Sequence, residues 1–193
     1  MNYEAAEKYA LSRIHDELPE TYYYHRLSHT QDVMKAVRYI AEGEQVSSEE
    51  LDLLKAATVF HDLGFVETYA DHEPVGARIA GEMLPGFGYS SSQVEKVKAL
   101  ILATALPYKP QNRLEMIIRD ADLDYLGRED YLLIAHQLKL EWLHLGIIKS
   151  MKEWYQLQYQ FLSNHNFYTD TARRHRQSGK ENHIAQLREL LGL

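Results

Sequence analysis

The chain has no cysteine among its 193 residues. Disulfides and thiolate metal sites are therefore excluded, and any metal must rest on His, Asp or Glu. The absence fits a reducing compartment. Nor is there an apolar run approaching the ~20 residues needed to cross a bilayer. The opening residues, Met1-Asn2-Tyr3-Glu4-Ala5-Ala6-Glu7-Lys8, carry acids where an export signal carries a basic and then an apolar stretch. A cytoplasmic protein with no membrane role is expected. Positive charge is also short: the formal net charge is −7, which argues against general binding to a nucleic-acid backbone. A small phosphate ester stays open, because a metal can meet its charge locally.

No convincing alternation of period two marks a strand, and no internal repeat or low-complexity stretch is found. What is present is helical periodicity almost throughout, with 45% hydrophobic and 25% charged residues, ordinary values for one globular domain. Leu11, Ile14, His15 and Leu18 share a face of a first helix that Pro19 ends. A second helix is expected over 24–42, with Val33, Met34, Val37, Ile40 and Ala41 at core spacing and Gly43 closing it. Ser47 with Glu50 forms a capping box for the third. Pro74 suits the first turn of a fourth that runs to Leu84, and Ser91 or Ser92 caps a fifth over 93–105. The pattern resumes over 113–125, 128–145 and 147–163, followed by two short segments near 170–177 and 180–191. The expected fold is all-α, a single domain over 1–193 of about nine helices.

The run Ala56-Ala57-Thr58-Val59-Phe60-His61-Asp62-Leu63-Gly64 is an apolar helix ending in an imidazole and a carboxylate. Neither is comfortable at a buried helix end without a partner. A divalent cation satisfies both, since neutral imidazole and carboxylate oxygen are good ligands. The plainer reading is a buried His–Asp pair bonded to each other. Adjacent helical residues point ~100° apart, so His61 and Asp62 reach one ion only where the helix ends, and Gly64 is placed for that ending. His25 and His29 would share a helix face one turn apart, either as two ligands or as part of a packed start with Tyr22, Tyr23 and Tyr24. Asp120, Asp122 and Asp124 alternate and cannot all face one site on a helix.

Taken in order, His29, His61-Asp62 and Asp122 resemble the HD superfamily of metal-dependent phosphohydrolases. Tyr24-His25-Arg26-Leu27-Ser28-His29 is similar to its Tyr-His-Asn-x-x-His segment, and Asp120-Ala121-Asp122-Leu123 to its late Asp-Ala-Asp-Leu segment. The likeness spans about 22–131, with the helices of 132–193 expected to pack on that region. It implies an HD-domain helical bundle with His29, His61, Asp62 and Asp122 as ligands of a divalent ion (Mn, Mg, Fe, Co, Ni or Zn). Such a set with room for water would activate water near neutral pH and polarise a phosphoryl oxygen. Asp62 thereby counts as catalytic as well as a ligand. His25 resembles the histidine with which cyclic-nucleotide phosphodiesterases, distant relatives, protonate the leaving oxygen. His72 resembles the histidine that follows the His-Asp pair in many members, and Arg26, by its place between the two histidines, is the cation best set to meet a phosphate; both are expected to bind substrate. Asp120 is then left to cap a helix start and Asp124 to solvent.

Two departures limit the transfer. The bacterial 5′-deoxynucleotidase branch has a glutamate three residues after the aspartate, where this chain has Phe65; the guanosine-tetraphosphate hydrolases are disfavoured on the same ground. No histidine lies between His72 and His136, which weakens a histidine-rich second metal site and a di-iron oxygenase. Trp142, Trp154 and Phe161 read as core or a dimer face rather than a base-stacking platform, leaving a homodimer open. The resulting expectation is a phosphohydrolase for a small phosphate ester, plausibly a nucleotide. A catalytically silent signalling or scaffold module is the rival, and the intact ligand set argues against it.

Overall fold

The computed structural model describes all residues, Met1–Leu193. Nine α-helices follow one another: α1 (Tyr3–Glu17), α2 (Leu27–Gly43), α3 (Ser48–Phe60), α4 (His72–Met83), α5 (Ser91–Leu102), α6 (Arg113–Asp122), α7 (Tyr131–His144), α8 (Met151–Asn164) and α9 (Asp170–Leu191). Short 3₁₀ turns at Leu63–Val66, Leu84–Phe87 and Asp124–Gly127 join some of them, and there is no strand.

At the centre lies α3. Leu53, Leu54 and every residue from Ala56 to Phe60 are buried, as expected where the second half of a helix is apolar on nearly every side. Around it pack α1, α2 and α5, with α4 lying against α5 and α6 against α2. The capping box of Ser47 and Glu50 forms in full, satisfying two of the amides that a helix start leaves unpaired. This fixes where α3 begins, and its length then sets where His61 and Asp62 emerge.

The C-terminal helices form a second group against this body: α8 packs on α9, and α9 on the Asp124–Gly127 turn. The two segments expected over 170–191 are one continuous helix. Gly179, which reads as an interruption, is a contact point instead: a Cβ there would collide with the backbone of Gly127, and one on Gly127 with the backbone of Arg176. Two facing glycines let helix and turn touch, a packing gain that offsets the weak helix propensity of glycine, about 1 kcal/mol against alanine.

Other local expectations are corrected. The cap of α5 is Ser90, which forms a capping box with Gln93, and not Ser91 or Ser92. Asp120 lies inside α6 and is fully buried. It caps no start of its own helix; it accepts from the amides of Tyr168 and Thr169 (2.9 and 2.7 Å) and from the Thr169 hydroxyl (2.7 Å). Burial nonetheless pushes its carboxyl up to about 6. Asp124, expected in solvent, is buried and accepts from Arg176 Nε (2.7 Å) and from the Tyr39 hydroxyl. Both aspartates tie α6 and its following turn to α9.

Candidate metal centre

Three helix ends deliver the chemistry-bearing groups. α3 stops at Phe60, leaving His61 as its C-cap and Asp62 as the first residue of a turn. The chain can turn there because Gly64 lies directly against α4: a Cβ on Gly64 would collide with the carbonyl of His72, and one on Gly76 would crowd the carbonyl of Phe60. These two glycines bring the His-Asp turn and the start of α4 into contact. Asp71, in the left-handed conformation at φ 54°, swings the chain into α4 and sets His72 beside Asp62, with Nε2 3.4 Å from Oδ1. His29 comes from the first turn of α2 and Asp122 from the last residue of α6.

Their donor atoms converge. His29 Nε2 is 3.1 Å from Asp122 Oδ1 and 3.3 Å from Asp62 Oδ2. His61 Nε2 is 3.2 Å from Asp62 Oδ2 and 3.4 Å from Asp122 Oδ1. The donors of His29, His61 and Asp122 all fall within 4.8 Å of one another, close enough to hold one metal ion. On its far side His61 Nδ1 donates to the Thr58 carbonyl at 2.7 Å, which fixes the tautomer and turns the Nε2 lone pair inward.

Whether these groups suit a cation is answered by two orphans. His61 Nε2 and Asp62 Oδ2 are buried and find no hydrogen-bond partner. A native fold seldom leaves such atoms unpaired, and the simple alternative, a His–Asp pair bonded to each other, lacks the geometry. A divalent ion held there would satisfy both. Without it, protons play that part. Burial disfavours a charge on His61, but the Asp62 and Asp122 carboxylates outweigh it and raise the imidazole well above its ordinary value. Burial likewise disfavours charge on the two carboxyls, yet His61 holds Asp62, and His29 with His61 holds Asp122, well below the usual range.

Next to this cluster lies His25, displaced from its expected position. α2 begins at Leu27 and not at Tyr24, so His25 precedes the helix and does not share a helical face with His29. The two rings are still 6.1 Å apart. What holds His25 is Glu141 of α7, fully buried: Oε1 accepts from His25 Nδ1, and Oε2 from the amides of Tyr24 (2.9 Å) and His25 (3.1 Å). The Tyr69 hydroxyl adds a further bond to Oε1 at 2.8 Å. Burial would raise this carboxyl, but the His25, Tyr24 and Tyr69 bonds prevail and keep it below the usual glutamate value. Phe65 is a second support. Its ring stacks on His72 at 3.8 Å and leans on His25 at 4.2 Å.

His25, His29, Asp62, His72 and Asp122 all line a cleft of about 440 Å³ between the α3–α6 body and helices α7 and α8. Arg26 does not. It sits in extended backbone as the N-cap of α2, with its side chain in solvent. Trp142 and Phe161, expected in the core or a dimer face, form part of the cleft wall. Glu141 and Tyr69 carried no sequence signal, being a single acid and a single tyrosine without a motif. Phe65 was visible only as a departure.

An all-helical bundle that brings two histidines and two aspartates to one point, with orphaned donor atoms between them, is a protein with a candidate metal centre. The chain belongs to the HD domain family, whose model matches residues 26–124. Among solved structures it is similar to a predicted HD superfamily hydrolase from an uncultured Thermotogales bacterium, with 23% identity and a TM-score of 0.63, covering 96% of this chain and 91% of that one. A Lactobacillus plantarum protein aligns at 16% identity and TM-score 0.67, covering 97% and 95%. Bacillus subtilis YpgQ aligns at 19% identity and TM-score 0.67, covering 97% and 96%. At these identities the likeness is one of fold. No curated protein matches the chain. No helix is long and apolar enough to cross a membrane.

Proposed function

We propose that this chain is a metal-dependent phosphohydrolase acting on a small phosphate ester. The observation that carries the reading is the pair of orphaned atoms, His61 Nε2 and Asp62 Oδ2, facing His29 and Asp122 at the floor of an open cleft. His29, His61, Asp62 and Asp122 would hold the ion, which when bound supplies Lewis acidity and an activated water.

The remaining roles belong to the chain's own groups. Glu141 fixes the Nδ1 side of His25, leaving the other ring nitrogen to the cleft, where it can hand a proton to a departing alkoxide. Phe65 keeps the rings of His25 and His72 from turning. His72, which lines the cleft with its Nε2 3.4 Å from Asp62 Oδ1, is placed to pair with a phosphoryl oxygen. The YpgQ structure holds ADP, which supports a phosphorylated ligand, a nucleotide among them. Turnover of a panel of phosphate mono- and diesters with Mn, Mg, Co and Ni, abolished by a chelator, tests the proposal. A metal-loaded protein inert to the whole panel would leave the silent-module reading.

A further inference from the structure

The walls of the cleft divide into two halves of opposite character. One half carries acids and histidines: Asp71 and Glu73 stand beside Asp62 and Asp122, with His25, His29 and His72. The other half is apolar and is supplied by Leu106, Leu138, Trp142, Leu157 and Phe161. Neither half contains a lysine or arginine. The Nη1 of the buried Arg119 of α6 is engaged, donating to the carbonyls of Ala103, Thr104 and Ala105 at 3.1, 2.6 and 2.7 Å at the end of α5. Arg78 is bound to Glu67 and Glu82, and Arg176 to Asp124.

Charge arithmetic follows from this. Two carboxylates in the ligand set would cancel the charge of a divalent ion, so the groups left to meet a phosphate are the imidazoles of His25 and His72. Asp71 opposes each additional anionic group, Glu73 is taken up by His72 (Oε2 3.5 Å from Nδ1), and no guanidinium lines the cleft to chelate a second phosphate in the bidentate way that phosphate recognition favours. Two polar groups of the apolar half are engaged. Gln158 Oε1 accepts from the Tyr131 hydroxyl at 2.9 Å, and the Thr104 hydroxyl donates to the Ile101 carbonyl at 2.7 Å. What this half offers is area: the half-buried Trp142, braced edge-on at 5.7 Å by the buried Trp154, and the ring of Phe161.

Building on the phosphohydrolase reading, we infer that the substrate is a monoester carrying one phosphate on a largely apolar, flat organic body. The phosphate lies at the metal centre and the body against Trp142 and Phe161, and one phosphate is preferred to two or three. Burying such a ring face favours binding by roughly 10- to 100-fold over a short alkyl group.

The test compares matched alkyl leaving groups. With Mn-loaded protein, 2-(2-naphthyl)ethyl phosphate should exceed ethyl phosphate in kcat/KM by the same roughly 10- to 100-fold. Calorimetry with the non-cleavable 2-(2-naphthyl)ethyl phosphonate should give the tightest binding. ADP and naphthylethyl diphosphate should bind at least about tenfold more weakly, since each added charge meets like charge in the cleft. Phe161→Ala or Trp142→Ala should remove the naphthyl preference. Leu157→Arg, at the exposed rim, should recover diphosphate binding. Equal kcat/KM for the naphthylethyl and ethyl esters, or ADP binding as tightly as the phosphonate in wild-type protein, would overturn the inference even if monoesters are hydrolysed. No turnover of any ester removes the hydrolase reading instead, while the binding order still decides which ligand class the cleft takes.

Discussion

Glu141 and His25 lie 116 residues apart in sequence and are joined through the histidine's Nδ1. The same carboxylate also gathers the Tyr24 and His25 amides and the Tyr69 hydroxyl. Helix α7, outside the residues the HD family model matches, thus orients a histidine that sits just before that region's first residue. Replacing Glu141 with Gln keeps the shape and part of the hydrogen bonding but loses the charge on Nδ1. Turnover of alkyl esters should fall, metal content should stay, and the loss should shrink for aryl esters, whose leaving groups need little protonation. Glu141→Ala should unfold more readily by about 1–3 kcal/mol as buried amides lose their acceptor.

The same carboxylate predicts an acid limb. Its folded value lies below the ordinary glutamate value, so the stability it contributes is present at neutral pH and is lost as pH falls below about 4.3 through the folded value. Urea melts of wild type and Glu141→Gln should therefore converge on acidification. Parallel curves down to pH 3 would contradict this.

His25 and His29 should fail differently. Losing His29 removes a donor that no neighbour replaces, so His29→Ala should weaken metal retention. Losing His25 should leave the ion in place and lower turnover by roughly 10²- to 10⁴-fold. Metal loss in His25→Ala, or equal deficits on good and poor leaving groups, would make it a ligand or a packing residue.

Gly64→Ala tests how the site is held. The added methyl meets the His72 carbonyl, which is backbone and cannot rotate away. Overpacking of this kind costs about 1–3 kcal/mol, and here it also separates His72 from Asp62. The variant should melt earlier and bind the ion less tightly than Gly86→Ala, whose Cβ meets nothing nearby.

The legible part of this protein was whatever is local in sequence. The capping box at Ser47–Glu50, the apolar α3 and the His61-Asp62 turn each lie within a few residues, and their consequences are helix-length arithmetic. Ser90 was equally legible, since Gln93 stands three residues on, but three neighbouring serines obscured the register. The start of α2 was misplaced because tyrosines at 22–24 fit a helical pattern, while Glu141 draws Tyr24 and His25 out of it by taking their amides. Such a pull from α7 has no local trace. Asp124 and Asp120 read as a solvated acid and a helix-start one because their partners, Arg176 and the Tyr168–Thr169 amides, lie about 50 residues away. Gly179 reads as a break until Gly127 is known to face it.

Metal binding should release protons. In the free site the Asp62 and Asp122 carboxylates, outweighing burial, raise His61 well above its ordinary value, so the imidazole carries a proton at neutral pH that an ion must displace. Calorimetry of Mn or Zn binding in buffers of different ionisation enthalpy should show net release near pH 7, with affinity rising as pH rises. Affinity that is independent of pH between 6 and 8 would mean the ion sits elsewhere.

The proposed function stands on His29, His61, Asp62 and Asp122 holding one metal ion. Elemental analysis of purified wild type, His61→Ala and Asp62→Ala, each confirmed folded by circular dichroism, tests it most directly. Wild type should hold a single tightly bound transition ion, and both variants should lose it. Full occupancy in either folded variant would contradict it.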